Sequence, residues 1–245
     1  MAVTNTDKDH DTLMIEAMTT YMTECMSGHD PSHNPAHVHR VVGLAQQILK
    51  GEQAVHPETP YDQTVVTLAA ILHDIGDRKY LPATVTAGSV DPKRMVHDVL
   101  AARGMDPRLA ERVQTIVSNV SYSNEIKDPA RVRSLIDQEG YVELAIVQDA
   151  DRLDAIGAVG IARTFTYLGA QGPKIKPGER WEMDQSIEHF GDKLEKLEGM
   201  MKTETGRAMA RERTRRLVEF RTWWEDETGP LFPSDLDKLT TEDYI

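Results

Sequence analysis

The sequence predicts an all-α fold, a single helical bundle with a C-terminal helical extension. Apolar residues recur at three- and four-residue intervals along most of the 245 residues, which is the spacing that lines one face of an α-helix. Sustained alternation of apolar and polar residues, the sign of a half-buried strand, is absent from the sequence. AIVQDA is the one short strand candidate, and its flanks have a helical pattern.

The first three helices are predicted from periodicity and from residues typical of helix ends. A Met-rich periodic stretch covers 11–27, and a second helix over 35–50 begins with Pro35, a residue that suits the first helical turn. The segment 61–76 contains VVTLAAIL, which is apolar nearly all round and predicts a central, buried helix. This helix is expected to end at Gly76.

The rest of the chain continues the helical pattern, with breaks where Gly, Pro and polar residues cluster. An irregular segment is expected at 78–92, a polar connection at 121–129 and a Gly/Pro/Lys loop at 169–181. Further helices are predicted at 93–103, 107–120, 130–168 (weakened around Gly140), 184–203 and 206–226.

These elements predict one helical domain over residues 1–228. Its core, about 30–168, carries the candidate metal ligands described below, and the helices of 184–226 follow that core. The tail 229–245 is punctuated by Pro and rich in acidic residues, and we expect it to be loosely packed.

Composition excludes several classes of function. The formal net charge is −12, whereas proteins that bind nucleic-acid polymers usually carry a basic surface. The chain has one cysteine, so an intrachain disulfide is impossible, and it lacks a membrane-spanning apolar stretch. The polar N-terminus does not resemble a secretory signal, which predicts a cytoplasmic protein. The Met-rich first helix leaves a homodimer possible.

Four ionisable residues lie on helix faces that should be buried. His37 follows Pro35 on the apolar face of its helix, and His73 and Asp74 lie near the end of the most apolar helix. Asp149 interrupts an apolar stripe formed by Val142, Ile146, Leu153, Ile156 and Gly160. Burying an ionised carboxylate without a partner costs free energy, and a divalent metal would satisfy both histidine and carboxylate.

Each of these residues also has an interpretation without a metal. His37 alone could be a satisfied core histidine, and Asp74 could bond a local donor at a helix end. Asp149 could form a structural pair with Arg152, which lies three residues on. Together the four make a mixed nitrogen and oxygen set, which suits Mn²⁺, Fe²⁺, Co²⁺, Ni²⁺ or Mg²⁺ better than structural zinc.

The order and spacing of these motifs resemble the HD-domain metal-dependent phosphohydrolases. The resemblance rests on HVHRV at 37–41, LHDIGD at 72–77 and QDADRLDAIGAVGIART at 148–164. It continues through SIEHF at 186–190 and KLEGMMKTETGR at 196–207. The isolated HD pair is a weak motif, but the ordered set is specific and most resembles stand-alone bacterial HD proteins of the YpgQ and YedJ type.

The resemblance implies an HD-domain helical bundle with one divalent metal, Mn²⁺ first, held by His37, His73, Asp74 and Asp149. It also implies a small phosphorylated substrate, with hydrolysis of nucleoside triphosphates to monophosphate and pyrophosphate in the YpgQ-like branch. Some HD proteins hold a second metal with further histidines, but this sequence has no histidine between His97 and His189. A two-metal site is therefore not expected.

Residues near the ligands are candidates for catalysis and for binding phosphate. Asp77 is expected to orient water or protonate the leaving group, and Arg152 to balance charge in the transition state. Three further cations are assigned to substrate binding because Arg40 lies three residues after His37, while Arg78 and Lys79 follow the HD pair.

His189 and Lys193, in the SIEHF segment, are candidates for a helix that brings positive charge to the phosphate tail. The alternative for them is a solvated amphipathic face, and for Asp77 a solvated turn.

Three other functions remain open at the level of sequence. A phosphomonoesterase acting on nucleoside monophosphates would use the same ligands. A binding module could hold a nucleotide without cleaving it, and a purely structural helical protein would have to bury these ionisable side chains without functional benefit.

Overall fold

The computed structural model describes residues 5–75, 91 and 93–229. This part of the chain is all-α, as the sequence predicts, with two short 3₁₀ helices at Gly172–Lys174 and Leu194–Met200. The α-helices are α1 (Asn5–Met26), α2 (Pro35–Val55), α3 (Gln63–Leu72), α4 (Met95–Ala101), α5 (Pro107–Val120), α6 (Tyr122–Lys127), α7 (Pro129–Asp137), α8 (Val142–Asp154), α9 (Gly157–Gln171), α10 (Asp184–Asp192) and α11 (Glu204–Thr228).

Two central helices organise the core. Helix α3 is buried at every position from Val65 to Leu72, as its apolar sequence predicts. Helix α8 is buried at eleven of its thirteen residues, because α2, α3, α5, α7, α9 and α11 pack around it. Ionisable side chains of α8 therefore have protein on almost every side, and each needs a partner from a neighbouring helix.

Side-chain caps explain where several helices begin. The Asn34 side chain accepts a hydrogen bond from Ala36 N just before Pro35 starts α2, and Asp62 accepts from Val65 N at the start of α3. Asp106 caps α5 and Asp128 caps α7, each again followed directly by a proline. A cap satisfies backbone N–H groups of the first turn, and proline at the first position has no N–H to satisfy.

The structure corrects two boundaries. The connection expected at 121–129 contains α6 and the first residue of α7, so it is mostly helical. The continuous pattern over 130–168 is divided into α7, α8 and α9. Gly140 (φ 78°) lies between α7 and α8 and Gly157 (φ 74°) is the first residue of α9, and both adopt left-handed backbone conformations that interrupt a continuous helix. The apolar periodicity continues across these breaks because all three helices pack apolar residues into the same core.

The end of the chain follows the prediction in part. The predicted helix 184–203 is α10 followed by the second 3₁₀ helix, and α11 covers the predicted 206–226. The central helix α3 ends at Leu72 and not at Gly76 as the sequence predicts, and residues 73–75 form a turn. The irregular segment expected at 78–92, apart from Asp91, and the loosely packed tail after Gly229 lie outside the described residues. In the described part, none of the helices has the length and apolar character needed to cross a membrane.

Replacing a central core side chain should destabilise the protein strongly. Leu68 on α3 is fully buried, so Leu68→Ala leaves a cavity and is expected to lower the free energy of unfolding by about 2–5 kcal/mol. Leu13→Ala on α1 is the matched control, because Leu13 is 65% exposed. Urea denaturation of both variants measures the difference, and equal losses would contradict the central position of α3.

Candidate metal centre

Two buried histidines and an aspartate form a compact cluster where α2 meets the end of α3. His37 lies in the first turn of α2, and His73 and Asp74 directly follow α3. One ligand atom from each residue can be chosen so that all three atoms lie within 4.8 Å of one another. The helix contact between α2 and α3 therefore joins residues that are 36 positions apart in the sequence.

The hydrogen bonds of the two imidazoles fix where their protons lie. His37 Nδ1 is 2.8 Å from a carboxylate oxygen of Asp154, and His73 Nδ1 is 2.8 Å from the carbonyl oxygen of Ala70. Since an ionised carboxylate and a carbonyl can only accept, both Nδ1 atoms donate. The lone pairs of neutral rings then lie on the Nε2 atoms, which face each other at 3.2 Å.

Two facing lone pairs repel unless a cation lies between or beside them, so the donor set fits a bound metal. Two nitrogens about 2.1 Å from one ion at a right angle lie about 3.0 Å apart, close to the observed 3.2 Å. Neutral imidazoles with carboxylate oxygens are ligands typical of divalent transition metals. In the absence of a metal, the alternative is a proton on one ring.

Carboxylates make the potential at this cluster negative. Asp74 Oδ2 is 3.4 Å from both Nε2 atoms, and Asp151 Oδ1 is 3.7 Å from both. Burial alone would lower the pKa of His73, but these two carboxylates raise it to about 9. His73 in turn holds the pKa of Asp74 well below its usual range despite burial. The field that favours a proton here also favours a divalent cation.

Asp151, and not Asp149, is the aspartate of α8 that faces this cluster. Its Oδ1 atom is equidistant from the two imidazoles, and its side chain is 29% exposed. Residues two apart on an α-helix point about 200° away from each other, so Asp149 points to the opposite side of α8. The sequence-based assignment of Asp149 as the fourth ligand is therefore not supported by its position.

Asp149 instead holds the beginning of α11. Its carboxylate accepts hydrogen bonds from Lys202 N at 3.0 Å, from Thr203 N at 2.8 Å and from Thr203 Oγ1 at 2.7 Å. Thr203 Oγ1 accepts from Gly206 N and so caps the same helix. Burial raises the pKa of Asp149, while these hydrogen bonds oppose the rise. The KTETG segment is thus explained by a helix start built around a buried carboxylate.

The apolar stripe could not separate Asp149 from Asp151, because α8 is buried on nearly all sides. A stripe identifies the core-facing side only when the opposite side is solvated. One sequence signal was available, since Asp151 and Asp154 are three residues apart and therefore neighbours on one helix face. Both face α2, and both stand in the DADRLDA motif.

Asp154 binds two arginines on the Nδ1 side of His37. It is buried and accepts from His37 Nδ1, from Arg40 Nε at 2.7 Å and from Arg163 Nη1 at 2.9 Å. Although burial opposes ionisation, hydrogen bonds from His37 and Arg40 and the charge of Arg163 hold the pKa of Asp154 far below its usual range. Sequence analysis singled out Arg40 but not Asp154 or Arg163.

Arg152 points into a separate buried ion cluster. Its Nη2 donates to Glu125 of α6, its Nη1 to the Met200 carbonyl, and Lys202 Nζ lies 3.0 Å from the same glutamate. Arg152 is 2% exposed, and its Nε atom is buried without a hydrogen-bond partner. These contacts give Arg152 a role in joining α6 and α8 to the segment before α11, and they replace the pairing with Asp149 considered from the sequence.

Two other predicted site residues lie at the end of α10. Lys193 follows α10 and lies over the Tyr122 ring at 4.6 Å, and burial lowers the pKa of the half-buried His189 one turn before it. Asp77, Arg78 and Lys79 lie outside the described residues.

Comparison with known proteins gives concordant results. The sequence profile of the HD domain matches residues 36–156. The uncharacterised protein YpgQ of Bacillus subtilis is 35% identical over 205 residues, which cover 84% of this chain and 89% of YpgQ.

Solved structures give the same relationship. The crystal structure of YpgQ in complex with ADP has a TM-score of 0.64 at 31% identity, covering 88% of this chain and 98% of that one. An HD-superfamily hydrolase from Bacillus thuringiensis has a TM-score of 0.62 at 26% identity, covering 90% and 100%.

A side chain at Gly206 should disrupt the start of α11. A Cβ atom there would overlap the Asp149 carboxylate and lie 2.6 Å from Thr203 Oγ1, so Gly206→Ala is expected to cost about 1–3 kcal/mol of stability. Gly169→Ala on α9 is the control, because its Cβ would meet nothing within 4 Å. Thermal unfolding compares the two variants. An unchanged unfolding midpoint in Gly206→Ala would contradict the close packing of Gly206 against Asp149 and Thr203.

Proposed function

This chain belongs to the HD-domain family, and we propose that it hydrolyses nucleoside triphosphates to the monophosphate and pyrophosphate with one divalent metal. The observation that carries the proposal is the pair of Nε2 atoms facing each other at 3.2 Å beside Asp74. Both the donor set and the family support metal-dependent phosphate hydrolysis as the reaction class.

The metal would be held by His37, His73, Asp74 and, in place of Asp149, Asp151. Mn²⁺ is the first choice, with Fe²⁺, Co²⁺, Ni²⁺ and Mg²⁺ as alternatives, because two imidazoles and two carboxylates mix nitrogen and oxygen ligands. A bound metal would supply acidity to a water and positive charge for a phosphoryl oxygen. The imidazoles are buried but the two carboxylates are partly exposed, at 18% and 29%, so the site opens to solvent on their side.

A nucleotide is the proposed substrate class. The similar YpgQ structure contains ADP, which supports a nucleotide for this chain as well. A chain with a net charge of −12 needs local positive charge to bind a polyphosphate. Arg40 can supply it, because its side chain is 35% exposed and shares Asp154 with the ligand His37.

Four further side chains are proposed to contact the phosphate tail. His189 lies on α10 and Lys193 directly follows it, and the Lys193 ammonium group stacks on the Tyr122 ring. Arg78 and Lys79 follow the HD pair directly in the sequence, and Asp77 is retained as the group that orients water or protonates the leaving group. Arg152 is no longer proposed as catalytic, since its guanidinium is buried against Glu125.

A product assay should identify the reaction. Purified protein, stripped of metal and resupplied with Mn²⁺, is given a panel of nucleoside triphosphates and monophosphates. We expect pyrophosphate from triphosphates, and no product without metal, because the metal would supply the acidity that activates water. Separate assays for pyrophosphate and orthophosphate measure the products.

Each other result assigns a different function. Orthophosphate from monophosphates would replace the proposal with a phosphomonoesterase on the same site. Tight nucleotide binding without any product would indicate a binding module.

Removal of Asp151 should abolish metal binding, whereas removal of Asp149 should not. Asp151→Asn takes a carboxylate away from the two Nε2 atoms, so we expect loss of stoichiometric Mn²⁺ and of activity. Asp149→Asn removes the same charge two residues away and should lower the unfolding temperature but retain one Mn²⁺ per chain. Metal analysis of the folded proteins after desalting measures both. The reverse pattern would restore Asp149 as the ligand.

A further inference from the structure

Asp154 is the acceptor for four N–H groups next to the candidate metal centre. His37 Nδ1 lies 2.8 Å from Oδ2, Arg40 Nη2 3.0 Å and Arg163 Nη1 2.9 Å from the same oxygen, and Arg40 Nε lies 2.7 Å from Oδ1. The carboxylate is 1% exposed, so these N–H groups replace water as its partners. Three different side chains therefore donate to one buried carboxylate.

The contacts of Asp154 join α8 to α2 and α9 next to His37, a proposed metal ligand. Asp154 ends α8, His37 and Arg40 belong to α2, and Arg163 belongs to α9. Arg163 also donates from Nε to the Ser32 carbonyl at 2.8 Å, which fixes the segment before α2. Rotation of the His37 ring would therefore break its hydrogen bond to Asp154, a carboxylate that arginines of α2 and α9 hold in place.

We propose that Asp154 is a positioning residue that fixes His37 for metal binding. By accepting from Nδ1 it keeps the lone pair of His37 on Nε2, the atom that faces His73. A carboxylate bonded to the distal nitrogen of a histidine ligand orients the ring and makes it a stronger electron donor. The inference rests on the proposed function, since it assumes that this cluster binds a metal.

Charge gives Asp154 a second effect on the same site. Arg40 and Arg163 bring two positive charges to the side of His37, and Asp154 cancels one of them. Without that carboxylate, two uncompensated guanidinium groups would repel a divalent cation held by His37. The same carboxylate also holds Arg40 in place, so it links metal binding to the side chain proposed to bind phosphate.

An amide at this position cannot reproduce these contacts. In Asp154→Asn the NH₂ group must replace either Oδ1 or Oδ2, and both oxygens face N–H donors. The better orientation keeps the carbonyl oxygen on His37 and Arg163 and opposes NH₂ to Arg40 Nε. The variant thus loses the negative charge and a contact to Arg40 with almost no change in volume.

The test is the Mn²⁺ affinity of the metal-free protein, measured by isothermal titration calorimetry. We expect Asp154→Asn to bind Mn²⁺ about 10–100-fold more weakly than the wild type. Glu143→Gln is the matched control, because Glu143 is a fully buried carboxylate at the other end of α8 and pairs with Arg112. It should lower the unfolding temperature and leave Mn²⁺ affinity unchanged.

Two results would overturn the role of Asp154. One is an Asp154→Asn variant with wild-type Mn²⁺ affinity, and the other is an equal loss in Glu143→Gln, which would indicate general destabilisation. Failure of the wild type to bind any divalent metal is a different outcome, because it removes the proposed function itself and this inference with it.

A second measurement needs no variant. In the metal-free wild type, ¹⁵N-edited NMR of the histidine side chains reports which ring nitrogen of a neutral imidazole carries the proton. The proposal requires His37 to be protonated on Nδ1. A His37 ring protonated on Nε2 would overturn it even if Asp154→Asn fails to fold.

Discussion

The structure depends on satisfying the carboxylates of one buried helix. Helix α8 carries Glu143, Asp149, Asp151 and Asp154, and only Asp151 is appreciably exposed. Glu143 pairs with Arg112 of α5, Asp149 with the start of α11, and Asp154 with α2 and α9. Since an ionised group buried without a partner is strongly destabilising, these three buried side chains constrain which helices surround α8 and how they are oriented.

The candidate metal centre is one consequence of that arrangement. Asp151 and Asp154 share the face of α8 that meets α2, and His37 lies between them with one ring nitrogen toward each. His73 completes the pair of facing Nε2 atoms because α3 packs against both α2 and α8. His37 and Asp151 are thus held by contacts between rigid helices, which position side chains more precisely than loops do.

Much of the fold was predictable because the spacing of apolar residues along the sequence identifies α-helices. The apolar segment within 61–76 became the buried helix α3, and Pro35 marked the start of α2. Breaks were harder, since the three helices in 130–168 bury continuous apolar faces and are separated by left-handed glycines at 140 and 157. The sequence pattern singled out Asp149 and not Asp151 for a related reason, because a helix buried on nearly all sides has little solvent-facing surface to compare with.

The sequence alone determined the helical class, the family and the identity of His37, His73 and Asp74 as a candidate cluster. These follow from local patterns, namely helical spacing and ordered short motifs. Only the tertiary structure decided that Asp151 faces the imidazoles, that Asp149 accepts hydrogen bonds at the start of α11 and that Asp154 accepts one from His37. The reason is that a side chain's partner across 50 to 120 residues depends on how whole helices rotate and pack, and spacing along one helix carries no information about its neighbours.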